Sequence, residues 1–279
     1  MPVIDSQVHV YEANTPDRPW ATVPNWPPRV NGEDMVAAMD AVGVDGAIFV
    51  SSFSMYEYDA SYACEVQQKY PGKFALVKPI DPENPGLADV IADWKKTPGT
   101  VGVRIMLTHG PERDASHPGI NRIAEEAAKH ELPINLLTWG KIEEGQKLID
   151  KHPNTRWVLD HLGILQPREL PVHANPWADL PNVLDLAKRD NVVIKVSGAC
   201  TLSEQGDPYD DIWDPLARVF DAWGFERCLW GTDWTRAHAV LTYEQGVRPF
   251  RQTNRLTDSE RDMLMGGACA KAYRWSPAV

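Results

Sequence analysis

The 279-residue chain has few cysteines, no surplus of positive charge and no long apolar run, and each absence removes a class of protein. Its four cysteines, Cys64, Cys200, Cys228 and Cys269, form neither a C-x-x-C pair nor a zinc-ribbon spacing, so they read as reduced thiols of a cytosolic (cytoplasmic) protein. Lys and Arg number 28 against 39 Asp and Glu, a formal net charge of -11, which argues against a protein that grips nucleic-acid phosphates. A local cationic pocket for a small anion is compatible with that balance. The N-terminus has no basic stretch ahead of an apolar core, and nowhere do about 18 apolar residues run together. Neither export nor contact with a membrane is expected. At 43% hydrophobic and 24% charged, the composition excludes disorder and low complexity. The unusual abundances are 11 Trp and 23 Pro.

What recurs is a short apolar run followed by an amphipathic helical stretch. The pairs are 3–10 with 32–42, 46–51 with 60–70, 74–80 with 87–96, 101–107 with 120–130, 134–138 with 141–151, 156–162 with 178–189, 192–197 with 211–223, and 228–232 with 259–273. Eight such pairs in an uninterrupted chain predict an α/β fold, a (β/α)8 TIM barrel in a single domain over 1–279, with a doubly wound open sheet as the alternative. Helix-to-strand turns are short and carry Pro and Gly, as at 70–73, 97–100 and 152–155. Strand-to-helix segments are long, at 11–31, 108–119, 163–177, 198–210 and 234–258. That polarity places an active site at the C-terminal ends of the strands.

The strand ends carry the chemistry. Alternation along the first strand predicts Asp5, Gln7 and His9 on one face and Ile4, Val8 and Val10 on the other. A polar triple inside a barrel is costly unless it is hydrogen-bonded or binds something. The sixth strand ends at Asp160-His161-Leu162-Gly163, with His161 sharing the parity of Trp157 and Leu159. The eighth ends at Gly231-Thr232-Asp233-Trp234, where Gly231 would leave interior space and Asp233 sits at the tip. Arg104 on the fourth strand and Lys78 on the third add two cations. Singly, a structural histidine, a capping aspartate or a solvated lysine explains each; converging on one rim, they point to function. Trp139, Trp177 and Trp234, with Trp20 and Trp26, lie in or beside the long loops and would wall a flat apolar pocket. Arg18 and Arg29, on the proline-stiffened first loop, are candidate anion contacts. No spacing supports His109, His117, His173 or His238, and His130 and His152 fall in last helical turns.

These residues resemble the amidohydrolase superfamily, in its amidohydrolase-related branch of small lactonases and decarboxylases, over the whole chain. The likeness rests on Asp5-x-x-x-His9, Asp160-His161-Leu162-Gly163 and Gly231-Thr232-Asp233-Trp234. It is strongest toward the group containing 2-pyrone-4,6-dicarboxylate lactonase and sugar-lactone hydrolases. The resemblance implies a somewhat distorted TIM barrel with His9, His161 and Asp233 at the active centre and Asp233 as the proton-transfer residue. It also implies one divalent ion, zinc or manganese, on His9, His161 and Asp233. Here the chain departs from the superfamily pattern, because Gln7 stands where His-x-His has its first histidine, and an amide oxygen is a weak ligand for zinc. Metal-assisted and metal-free chemistry both stay open at this point.

The leading expectation is a hydrolase that opens a lactone or similar cyclic ester of a small organic acid. Asp233 would act as general base and then acid, with His9 and His161 polarising the carbonyl directly or through the metal. Arg104, Lys78, Gln7, Trp139 and Trp234 would contact a small anionic substrate. The alternatives are a metal-dependent non-oxidative decarboxylase of a hydroxy-aromatic or muconate-type acid, and a non-catalytic binding subunit. The Trp-rich exterior allows a homo-oligomer.

Overall fold

The computed structural model describes residues 1–108 and 113–278, and in them eight parallel strands form one sheet in sequence order. They are β1 (Ile4–Val8), β2 (Gly46–Val50), β3 (Phe74–Pro79), β4 (Thr100–Met106), β5 (Ile134–Leu137), β6 (Trp157–Leu159), β7 (Val192–Ser197) and β8 (Cys228–Gly231). Helices at Gly32–Ala41, Ser61–Lys69, Leu87–Lys96, Pro118–Lys129, Ile142–Lys151, Leu180–Leu186 and Trp213–Trp223 fill the crossovers. The (β/α)8 expectation holds over the open sheet. No helix among the described residues is long and apolar enough to cross a membrane.

Local chemistry sets the helix starts. Asn31 and Asp34 form a reciprocal capping box ahead of Gly32–Ala41, each side chain accepting at 3.0 Å from the other's backbone N–H. His117 precedes a proline at the first helical position of Pro118–Lys129, where the missing N–H costs nothing. The segment 234–258, expected as loop, instead holds helices at Trp234–Ala237 and Tyr243–Gln252. Thr242 and Gln245 cap the second of these, and Pro249 within it does not stop it.

Strand alternation divides the core into two layers. Phe49, Leu76, Ile105, Leu136, Trp157, Leu159, Val196 and Trp230 face the helices. Ile4, Ile48, Val50, Ala75, Val77, Val101, Val158 and Leu229 fill the barrel, together with Ala268, Cys269 and Tyr273 of the helix Ala268–Tyr273. That apolar plug closes the lower barrel, and polar side chains occupy the part above it.

The ladder runs from β1 to β8 but does not close. Irregular bonds join the two end strands instead: Thr232 donates to Asp5 through N at 2.9 Å and Oγ1 at 2.6 Å, and Asp233 N donates to the Gln7 carbonyl at 3.0 Å. Gly231, expected to leave interior space, makes this approach possible. A Cβ there would lie 2.7 Å from Ser6 Oγ and 3.0 Å from Asp5 Oδ1. This seam sets the height of the Asp233 side chain against β1.

Candidate active site

Strict alternation on β1 is broken before the site is reached. Ile4 and Asp5 pair with Gly46 and Ala47, but Val8 pairs with Phe49, so β1 carries an extra residue between Asp5 and Val8. Such a bulge inverts the parity of what precedes it. Ile4 therefore joins the barrel interior, while Asp5 turns to the seam, where the Tyr243 hydroxyl also donates to it at 3.1 Å. Of the expected triple, only Gln7 and His9 meet each other in the centre, with Gln7 Nε2 3.1 Å from His9 Nε2.

His161 reaches the centre by a different device from the one its parity suggested. Trp157 and Leu159 face the helices, so a straight continuation of β6 would have buried His161 among them. The strand stops at Leu159, and His161 (φ 53°, ψ 44°) and Leu162 (φ 61°, ψ 5°) adopt left-handed conformations in the turn Asp160–Gly163. That turn swings the imidazole inward. Asp233 is left-handed too, at φ 50°. Sparsely populated backbone conformations of this kind persist only where surrounding structure holds them.

Asp233 lies between the two imidazoles. His9 Nε2 is 3.5 Å from its Oδ1, and His161 Nδ1 is 3.5 Å from its Oδ2. Arg236 donates through Nε to Oδ2 and is itself held by the Pro167 carbonyl and Gln166 Oε1, both at 2.8 Å. Oδ1 is buried and, among the described residues, has no hydrogen-bond donor. Burial would raise this carboxyl, but the neighbouring His161, Arg236 and His9 outweigh it and hold it below the ordinary range.

Below this pair lies a buried ionic cluster. Asp160 accepts from Arg104 Nε at 2.8 Å, from Lys195 Nζ at 3.2 Å and from Asn135 Nδ2 at 3.3 Å. The Tyr273 hydroxyl donates to Asn135 Oδ1 at 2.7 Å. Despite burial, the Lys195 and Arg104 charges hold Asp160 well below its usual value. Lys195 also donates to Gln7 Oε1 at 2.6 Å. Three cations thus face two carboxylates in the centre, a net positive environment.

Trp26 lies over His9 with ring centroids 5.4 Å apart, and Trp139 over His161 at 5.5 Å. Asn25 on the first long loop donates to Glu169 on the loop after β6. Beneath them His9, His161 and Asp233 are 5%, 1% and 0% exposed.

Several expected contacts lie elsewhere. Lys78 is on the helix-facing side of β3, with Nζ 5.6 Å from the Trp94 ring centroid, because its parity matches Leu76. Trp234 packs edge-on against Tyr243 at 5.6 Å. Arg18 and Arg29 pair with Glu65 at 2.8 Å and Asp34 at 3.1 Å, and His117 pairs with Glu83. His109 lies outside the described residues. Asp160, Lys195, Ser197 and Arg236 were not singled out from the sequence. A lysine inside the apolar run Val-Val-Ile-Lys-Val-Ser was the available signal, the same one that marked Arg104.

The donor set does not fit the divalent ion that the resemblance implied. The two imidazoles approach opposite oxygens of Asp233, Oδ2 is engaged by Arg236, and Gln7 offers an amide nitrogen to His9. Among the described residues, no three His, Cys, Asp or Glu side chains converge as metal ligands. A dication would also add charge beside Arg104, Lys195 and Arg236.

The buried imidazoles make stability sensitive to acid. Burial pushes His9 down to about 4 and His161 down to about 3. Their contribution is complete above the unfolded value of 6.5 and is lost as pH falls from there toward the folded values. Asp5 acts in the opposite sense: burial, against four hydrogen bonds, pushes it up to about 6, so its contribution is present below 3.8 and is lost as pH rises through 6. Two imidazoles outweigh one carboxyl, so the melting temperature should fall between about pH 7 and about pH 5. A melting temperature that holds or rises across that interval contradicts the assignment.

Comparison with known proteins agrees with this architecture. The chain is 27% identical over 232 residues to a 4-sulfomuconolactone hydrolase of Rhizobium radiobacter, covering 82% of this chain and 74% of that one. It is 25% identical over 222 residues to an L-fucono-1,5-lactonase of Burkholderia ambifaria, covering 75% and 74%. A crystal structure of an amidohydrolase from Burkholderia multivorans with bound zinc superposes with a TM-score of 0.78 at 21% identity, over 99% of this chain and 100% of that one. Because the amidohydrolase family model matches residues 4–275, the chain belongs to that family and is a hydrolase.

Proposed function

We propose that the protein hydrolyses a lactone that carries an acidic group, with Asp233 as the proton-transfer residue. The observation that carries this reading is Asp233 Oδ1: a buried carboxylate oxygen without a donor among the described residues, beside an imidazole, on a carboxyl that Arg236 holds in place. Such an oxygen is an acceptor for a proton of water. The water oxygen attacks the lactone carbonyl carbon while its proton passes to Oδ1. The ring C–O bond then breaks, and the proton returns to the departing alkoxide, giving an open hydroxy acid.

Ser197 Oγ lies 3.0 Å from His161 Nδ1. With Ser197 donating, His161 carries its proton on Nε2 and stabilises the oxyanion. His9 has no such freedom, since its Nδ1 faces the Val50 carbonyl at 2.8 Å and its Nε2 faces Gln7. Arg104, anchored through Nε, offers its remaining nitrogens to the acidic group, and the excess of cations favours an anion. Trp26 and Trp139 cover the ring. The named substrates of the two lactone-hydrolysing relatives support the reaction class.

The test is a panel of lactones with and without a carboxylate or sulfonate, read by proton release and by carbon dioxide. Acidic lactones should open without gas, and carbon dioxide release would instead show decarboxylation. Arg104→Gln should raise KM for acidic lactones by about 10–100-fold, the worth of a charged hydrogen bond, and leave neutral ones little changed. An equal rise for both would remove Arg104 from substrate recognition.

A further inference from the structure

Gln7 and Lys195 stand 188 residues apart in the chain and meet inside the barrel. Their contact determines where a proton sits two groups away. A lysine ammonium is a donor only, so it must face the oxygen of the Gln7 amide, which fixes the direction of a side chain whose two ends are otherwise interchangeable. The amide nitrogen then faces His9 Nε2 at 3.1 Å. That nitrogen too is a donor only, so His9 Nε2 must accept. The Val50 carbonyl, 2.8 Å from His9 Nδ1, is an acceptor only, so the imidazole proton belongs on Nδ1. One buried cation thus sets amide direction and imidazole tautomer in series.

The consequence falls on Asp233. Were the proton on His9 Nε2, that nitrogen, 3.5 Å from Asp233 Oδ1, would begin to satisfy an oxygen that has no donor among the described residues. We propose that Lys195 and Gln7 are positioning residues that hold His9 in its Nδ1–H form and thereby keep Asp233 Oδ1 free as a base. The arrangement also occupies the lone pair through which His9 would bind a metal. Asp160, at 3.2 Å from Nζ, and the Tyr273 ring, 5.8 Å away, hold the ammonium at the foot of this chain of bonds. The effect on turnover rests on the lactone-hydrolase reading, whereas the position of the proton does not.

The test is long-range 15N–1H correlation of the imidazoles in the full-length protein, with the His9 signals assigned by their loss in His9→Gln. The native protein should show His9 protonated on Nδ1 alone, and a proton on Nε2 would overturn the proposal. Gln7→Glu keeps a partner for Lys195 but turns an acceptor oxygen toward His9 while Val50 still accepts at Nδ1, so Nε2 should gain a proton. With an acidic lactone, kcat should then fall about 10–100-fold with KM little changed, as for other residues that orient an active-site imidazole. Lys195→Met should leave His9 in a mixture of tautomers. If that variant does not fold, Gln7→Glu alone decides, and an Nε2 that stays unprotonated in Gln7→Glu refutes the proposal. Zinc added to the native protein should leave the His9 nitrogen shifts unchanged; a shift characteristic of metal-bound Nε2 would also refute it. A correct tautomer pattern in a protein that opens no lactone would sink the proposed reaction and leave the positioning intact.

Discussion

Asp233→Asn is expected to abolish lactone opening, with kcat reduced by at least about 10²–10⁴-fold, the range for loss of a positioned acid–base group. Arg236 donates at the Oδ2 position and keeps the amide oxygen there, so the Oδ1 position becomes an amide NH2, which cannot take the proton from water or return it to the leaving oxygen. The change leaves Arg236 with its bonds to Pro167 and Gln166, so the guanidinium is not orphaned and the fold should survive. Circular dichroism and a thermal melt would establish this independently of rate. Folded Asp233→Asn protein with near-native kcat would show that another group moves the proton. Unchanged substrate binding beside a lost kcat would place the effect in the chemical step.

The second large effect concerns stability. Asp160→Asn should cost about 3–5 kcal/mol, because it removes what is, among the described residues, the only full negative charge bonded to both Arg104 and Lys195 and leaves two buried cations facing each other. For a domain of this size the melting temperature should drop on the order of 10 °C. A double-mutant cycle separates this cause from general loss of packing. Combining Asp160→Asn with Lys195→Met should cost less than the two single changes together, since one of the stranded cations is then gone. Additive effects, or a single-variant cost within about 0.5 kcal/mol, would show that the ionic cluster contributes little.

Much of the fold was legible because its signal is periodic. Short apolar runs alternating with amphipathic stretches, short Pro- and Gly-bearing turns at one end and long loops at the other are local features, and they place the site at the strand ends. His9, His161 and Asp233 were found there, as were Arg104, Gln7 and Trp139. Lys78 failed because one residue of parity separates the barrel interior from the helix-facing layer. Asp5 failed because of a bulge, and the inward turn of His161 depends on two left-handed residues that no alternation rule anticipates. Trp234 meets Tyr243 because the segment after β8 folds into helices, a contact that no strand alternation anticipates.

The sequence by itself determined the barrel, the rim that carries the chemistry and the residue types gathered on it, because these follow from hydrophobic period and from the cost of placing charge in an apolar strand. Only the tertiary structure decided partners. Lys195 with Gln7, Asp160 with Arg104 and Arg236 with Gln166 are pairings between elements far apart in the chain, and each depends on the register of separate strands and loops. Those pairings decide which oxygen of Asp233 Arg236 engages, which end of Gln7 faces Lys195 and which cations surround the two imidazoles. Hydrogen-bond donors and acceptors act over about 3 Å, a distance that folding sets and residue order does not.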